Sequence, residues 1–236
     1  MGEITAQLLG LQLVTGVALG AIYALLAVGL SLIFGMLTVV NFAHGAFFMV
    51  GAFLGVYFQT LTGSFVLSLV ITPLVVGGIG LLSERFLVRP LYGRGIDYPL
   101  LLTFGLSYVL IEAMRVLFGI EGLPSSTPQA LRGAVNLGFG HFPLYRLALI
   151  GATAVVVLAL WLFIEKTRYG VFFLNDSRDP EIVRVLGIDV GRVWLLVFGI
   201  GTAIAGLSGV LAAPTRAVNP EMGIPVLAES FVVTVV

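Results

Sequence analysis

The sequence predicts an all-α, polytopic transmembrane bundle of about six complete crossings plus the start of a seventh. Three observations predict it. Hydrophobic residues make up 59% of the 236 residues and charged residues only 10%, against roughly 25% charged in a soluble domain. The mean hydropathy is +1.11, so a chain of this length lacks the polar exterior that water demands and must have lipid as its solvent. Lastly, the 80 positions between Glu3 and Glu84 hold no Asp, Glu, Lys or Arg. A helix needs about 20 apolar residues to cross the hydrocarbon core, so this stretch holds about three crossings with their turns.

The elements follow in order. Crossings are expected at Leu8–Leu32, Phe34–Phe58 and Phe65–Leu87, broken near Gly35, Asn41, Gly45 and Gly63. A polar segment, Val88–Pro99, carries Arg89, Arg94 and Asp97 and leads to a crossing at Leu100–Phe118. The Gly- and Pro-rich stretch Gly119–Pro143 reads as an external loop. Further crossings follow at Leu144–Ile164 and Val193–Ala213, separated by the most charged segment, Glu165–Arg192. The apolar run from Gly223 stops after about 14 residues, short of the length that spans, so the chain reads as one transmembrane domain, 1–236, that ends part-way through a crossing. Ser83–Pro99 and Glu165–Arg192 hold the basic residues (Arg85, Arg89 and Arg94; Lys166, Arg168, Arg178, Arg184 and Arg192), whereas Gly119–Pro143 holds only Arg132. The positive-inside rule therefore makes both basic loops cytoplasmic and places the N-terminus outside.

Several function classes fall away. Lys plus Arg and Asp plus Glu both total 12, which argues for no nucleic-acid partner. The chain has no Cys, which removes disulfides, thiolate metal sites and cysteine catalysis. His44 has no acidic companion in its crossing, so the residues predict no metal and no cofactor. No G-x-x-x-x-G-K-[ST] string is present to cradle nucleotide phosphates. An intramembrane enzyme, lacking convergent nucleophile and base, ranks last.

Two segments carry candidate chemistry. Asn41-Phe42-Ala43-His44-Gly45 puts polar groups inside the membrane, where they must hydrogen-bond or face a cavity. With Gly35 and Gly45 on either side, a broken helix is expected, and Asn41, His44 and Gly45 are the candidate substrate-pathway residues. The same residues could instead bond neighbouring helices and hold the bundle together. The second segment lies within 165–192. Asp179 is a preferred N-cap, Pro180 suits the first helical position, Glu181 complements the helix dipole, and Gly187 suits the terminating left-handed position. A helix of about seven residues results, roughly 10 Å long and too short to stand alone in water. It needs a partner surface, which another protein or the membrane surface itself could supply.

Smaller features read as packing or anchoring. Gly201, Ala205 and Gly209 recur every four residues, letting helices approach closely. Glu112 and Arg115 lie one turn apart and form a local pair. Tyr145 and Trp161 sit near opposite ends of one crossing, as interfacial anchors do.

The ordered set of motifs resembles a known family. Gly29-Leu30-Ser31-Leu32-Ile33-Phe34-Gly35 followed by Val40-Asn41-Phe42-Ala43-His44-Gly45 is similar to the first signature of branched-chain amino acid ABC permeases. Arg89-Pro90-Leu91, Thr103-Phe104-Gly105-Leu106-Ser107, Thr167-Arg168-Tyr169-Gly170 with Gly187-Ile188-Asp189, and Phe198 through Leu211 extend the resemblance over nearly the whole chain. It implies a translocation subunit of an ATP-driven importer for branched-chain amino acids or related small solutes such as urea and short amides, not an enzyme, in the inner membrane of a bacterial-type cell. Its expected partners are cytoplasmic ATP-binding subunits, a second similar permease, an extracytoplasmic solute-binding protein and membrane lipid. The 165–192 segment becomes the coupling loop, with Arg178, Asp179, Glu181, Arg184, Gly187 and Ile188 at the ATPase surface. The chain departs from the family pattern at Leu174-Asn175, where an Arg-Ala pair is expected. An ion-coupled secondary transporter is the alternative. Such proteins bury charged residues near the midplane, and the first 80 positions offer only His44.

Overall fold

A lipid-facing helix must satisfy its backbone internally, and the computed structural model meets that demand with helices almost throughout. It describes residues 2–37, 40–138, 140–167 and 189–235. The helices are α1 (Gly2–Leu37), α2 (His44–Thr62), α3 (Phe65–Ser83), α4 (Asp97–Phe118), α5 (Leu144–Lys166), α6 (Val190–Ala212) and α7 (Gly223–Val235). Six helical spans among the described residues are long and apolar enough to cross a membrane, and α7 is a shorter apolar helix. The expected crossing at Phe34–Phe58 is displaced. α1 runs on to Leu37, and α2 begins only at His44. Hydropathy is continuous through Phe34–Val40, so composition could not place the break there.

α6 is the centre of the bundle, packed against α1, α2 and α3. Glycines bring the backbones together on each side. A Cβ on Gly201 would stand 2.8 Å from the Gly29 carbonyl oxygen of α1, and one on Gly51 of α2 would stand 2.5 Å from Gly206 Cα. A Cβ on Gly206 would meet Val76 Cβ of α3 at 2.8 Å. Phe47, Phe48, Phe53 and Phe198 are fully buried in this core. Hydroxyls on these helices bond carbonyls, as Ser208 Oγ does with Ile22 O at 3.2 Å. Much of the outward surface of α3, α4 and α5 is exposed aliphatic side chain, such as Leu74, Val116 and Val155, as a lipid-facing wall requires.

The segment between α4 and α5 has more structure than a plain loop. Ala134–Asn136 pairs antiparallel with His141–Pro143 in a small hairpin, and Leu123 bridges to Val218 ahead of α7. Trp161 is exposed as an anchor should be, but Tyr145 is buried. Its hydroxyl donates to the Leu211 carbonyl at 2.7 Å and ties α5 to α6. Arg115 meets Glu112 at 2.6 Å as the spacing predicts, and also reaches Glu221 at 3.1 Å.

Candidate translocation site

The turn before α2 is built by Asn41. Its side-chain Oδ1 accepts the Ala43 N–H at 3.1 Å, and its carbonyl accepts the His44 N–H at 3.1 Å. This local bonding is how Asn favours turns and helix starts. α4 holds the turn in place. Thr103 Oγ1 accepts the Phe42 N–H at 3.2 Å and lies 3.3 Å from the Val40 carbonyl, to which it can donate.

His44 is completely buried. Its Nε2 lies 3.1 Å from the Leu26 carbonyl of α1, an acceptor, so Nε2 carries the proton. Glycine at position 29 makes room for the ring, because a Cβ there would come within 3.3 Å of Cε1 and Nε2. Gly29 also faces Gly201, at the middle of α6. The imidazole is thus wedged where α1 and α6 cross. Asn41 Nδ2 and His44 Nδ1 have no hydrogen-bond partner among the described residues.

Gly45 faces the other way. A Cβ there would lie 2.8 Å from Leu227 Cβ and would collide with the Gly223 carbonyl, so α2 and α7 cross in backbone contact. Beside this crossing is a cavity of about 280 Å³. Phe42, Gly45 and Met49 line it from the α2 side, Phe104, Tyr108 and Ile111 from α4, and Ile224, Leu227 and Phe231 from α7. Phe42 packs edge-on to Phe104 at 6.2 Å and lies 5.9 Å from Phe231. Ser107 and Tyr108 supply the side-chain hydroxyls among its lining residues. Such a chamber suits an aliphatic side chain with little polar surface.

The structure therefore brings Gly45 to the cavity wall and sets Asn41 and His44 behind it. Neither of these two lines the cavity. The aromatic residues that do line it were missed in the sequence. In sequence, Thr103-Phe104-Gly105-Leu106-Ser107 stands out only as part of a motif, and no periodic signal joins positions 42, 104 and 231. Arg178, Asp179, Glu181, Arg184, Gly187 and Ile188 lie outside the described residues. At the end of that segment, Asp189 caps α6, its Oδ1 accepting the Arg192 N–H at 3.2 Å, with an ion pair to Arg192 Nε at 3.0 Å. Among the described residues no three His, Asp or Glu side chains are grouped to hold a metal ion.

Comparison with known proteins gives a consistent picture. Residues 12–236 match the family described as branched-chain amino acid transport system / permease component. The chain is 29% identical over 233 residues to the high-affinity branched-chain amino acid transport system permease protein BraD of Pseudomonas aeruginosa, covering 90% of this chain and 73% of the relative. It is 29% identical over 231 residues, with the same coverage, to the corresponding permease protein LivH of Escherichia coli K12. A probable LivH of Methanocaldococcus jannaschii is 26% identical over 216 residues, which is 90% of this chain and 69% of that protein. No solved structure matches the chain significantly. With a match across nearly its full length and six spans of membrane-crossing length, the chain is an integral membrane protein and belongs to the family of permease components of branched-chain amino acid transport systems.

Proposed function

We propose that this chain is the translocation subunit of an ATP-driven importer that carries branched-chain amino acids across a bacterial-type inner membrane. The observation that carries the reading is the half-open apolar cavity beside Gly45, at the start of α2. Largely apolar concave sites with a few placed polar groups are where small ligands bind, and an aliphatic side chain fits an aromatic-lined cavity of this size. Gly45 and Phe42 form the pathway surface in this reading. Asn41 and His44 belong to the same pathway segment and hold its shape from behind. ATP-binding subunits dock on 165–192, a second permease completes the path, and a solute-binding protein delivers cargo from outside.

Competition of uptake tests the substrate class. In proteoliposomes holding the assembled transporter, excess isoleucine or valine should suppress labelled leucine uptake at least about tenfold, while lysine and glutamate should not. Each methylene in an apolar pocket contributes about 1–3 kcal/mol to such discrimination, and a buried charge is far more costly. Equal competition by lysine would remove the cavity from the specificity argument.

A further inference from the structure

Arg89-Pro90-Leu91 stands out in the sequence, and the translocation path makes no use of it. Helix geometry shows why its environment is unusual. Residues five apart on an α-helix point about 140° away from each other, so Glu84 and Arg89 would not meet on one. α3 ends at Ser83, however, and Glu84–Val88 forms a π turn in which the Arg89 N–H bonds the Glu84 carbonyl. The wider turn stacks the two side chains, and Arg89 Nε lies 3.2 Å from Glu84 Oε1. Pro90 then starts a single 3₁₀ turn, Arg89–Leu91. That places the Tyr92 hydroxyl 3.3 Å from the same carboxylate oxygen. Burial, reinforced by the Glu84 charge, pushes the Tyr92 phenol far above its ordinary range, so the hydroxyl stays a donor.

The cluster reaches across to α6. Arg89 Nη2 donates to the carbonyl of Gly191, in the first turn of that helix. The Tyr92 ring packs edge-on to Trp194 with centroids 4.8 Å apart. Glu84 itself is fully buried. A buried carboxylate is costly unless paired, and π turns are rare and concentrate at functional sites. A plain membrane crossing needs neither. Both occur where the chain enters α6 after residues 168–188, and α6 is the helix whose Gly201 faces Gly29 beside His44.

We propose that Glu84 and Arg89 are positioning residues that fasten the first turn of α6 to the end of α3. Movement of the 165–192 loop is then carried by α6 as a rigid body to α2 and is not lost in bending of the first turn of α6. The two helices meet in backbone contact at Gly51 and Gly206, and α2 bears one wall of the cavity. This rests on the reading that ATP-binding subunits dock on that loop. Arginine suits the task because its rigid fork can serve a carboxylate and a carbonyl at once, whereas lysine offers a point charge.

The test exploits the absence of native cysteines. Spin labels at Leu82→Cys and Arg192→Cys, both exposed positions, report the distance between the end of α3 and the start of α6 in the assembled transporter. The parent should give one narrow distance distribution. Arg89→Lys and Glu84→Gln should broaden it and lower substrate-stimulated ATP turnover at least about tenfold, within the usual range of coupling between sites, with basal turnover unchanged. Tyr92→Phe, which removes a single hydroxyl, should broaden it less and carries the same test if the other variants do not fold. An unchanged distribution would overturn the fastening, and a broadened one with full stimulation would overturn its role in transmission. If the parent itself shows no stimulation, the docking reading fails while the distances still decide whether Glu84 and Arg89 hold α6.

Discussion

Replacing Gly209 with leucine is expected to leave little or no folded protein. A Cβ at this position of α6 would stand 2.7 Å from Ala52 N and 3.1 Å from Gly51 C, and would collide with the Phe48 carbonyl oxygen. These are backbone atoms of α2, which cannot swing aside as a side chain could. Overpacking of an adaptable core costs about 1–3 kcal/mol, and a whole domain has only about 5–15 kcal/mol in hand. Gly206 and Gly51 are packed nearly as closely at the same crossing. Gly78 of α3 is the control, because nothing stands within 4 Å of its Cβ position. Leucine there should be tolerated or mildly stabilising, since glycine is about 1 kcal/mol worse than the best helix formers. Monodisperse yield and Tm of the two variants in detergent decide the matter. A Gly209→Leu protein as stable as Gly78→Leu would mean that α2 and α6 do not pack in this way.

Substrate-stimulated ATP hydrolysis should be abolished when Glu181 and Arg184 are both changed to Ala. The two residues are three apart on the predicted Asp179–Gly187 helix, turned about 120° from the centre of the Ile182, Val185 and Leu186 face, so their loss alters a polar surface and no membrane crossing. Insertion and helical content should persist. Asp179→Ala acts differently, through the cap. Its loss costs about 0.5–2 kcal/mol of helix stability, a large fraction of what seven residues can hold. Both variants should lose ATPase association in a pull-down, and the ATPase alone should keep its basal turnover. Normal stimulation in both would show that this helix is not the coupling element.

What could be read in the sequence follows from the range of each signal. Crossings were legible because length and apolarity are local, and the every-fourth small residues of α6 were legible for the same reason. The start of α2 was not, because the apolar run continues past the end of α1 while Asn41 sets the turn into α2 by bonds to Ala43 and His44. Tyr145 looked like an anchor because its position near a crossing end is local information, whereas its acceptor, Leu211, is 66 residues away. The three-residue strands of the hairpin are too short to show an alternating pattern. Glu84 marked only the end of an uncharged run, since a five-residue spacing is not a helical pairing and Gly191 is 102 residues from Arg89. The cavity wall required α2, α4 and α7 to meet, which no single window of sequence contains.

The most direct test of the central claim is the energy source of uptake. The chain would be reconstituted in proteoliposomes with its ATP-binding subunits, the second permease and the solute-binding protein, and labelled leucine followed over time. With ATP on the ATPase side and no ion gradient, leucine should accumulate, only when the binding protein is present, and ionophores should have no effect. Accumulation driven by an imposed proton or sodium gradient in the absence of ATP would contradict the account and favour ion-coupled secondary transport.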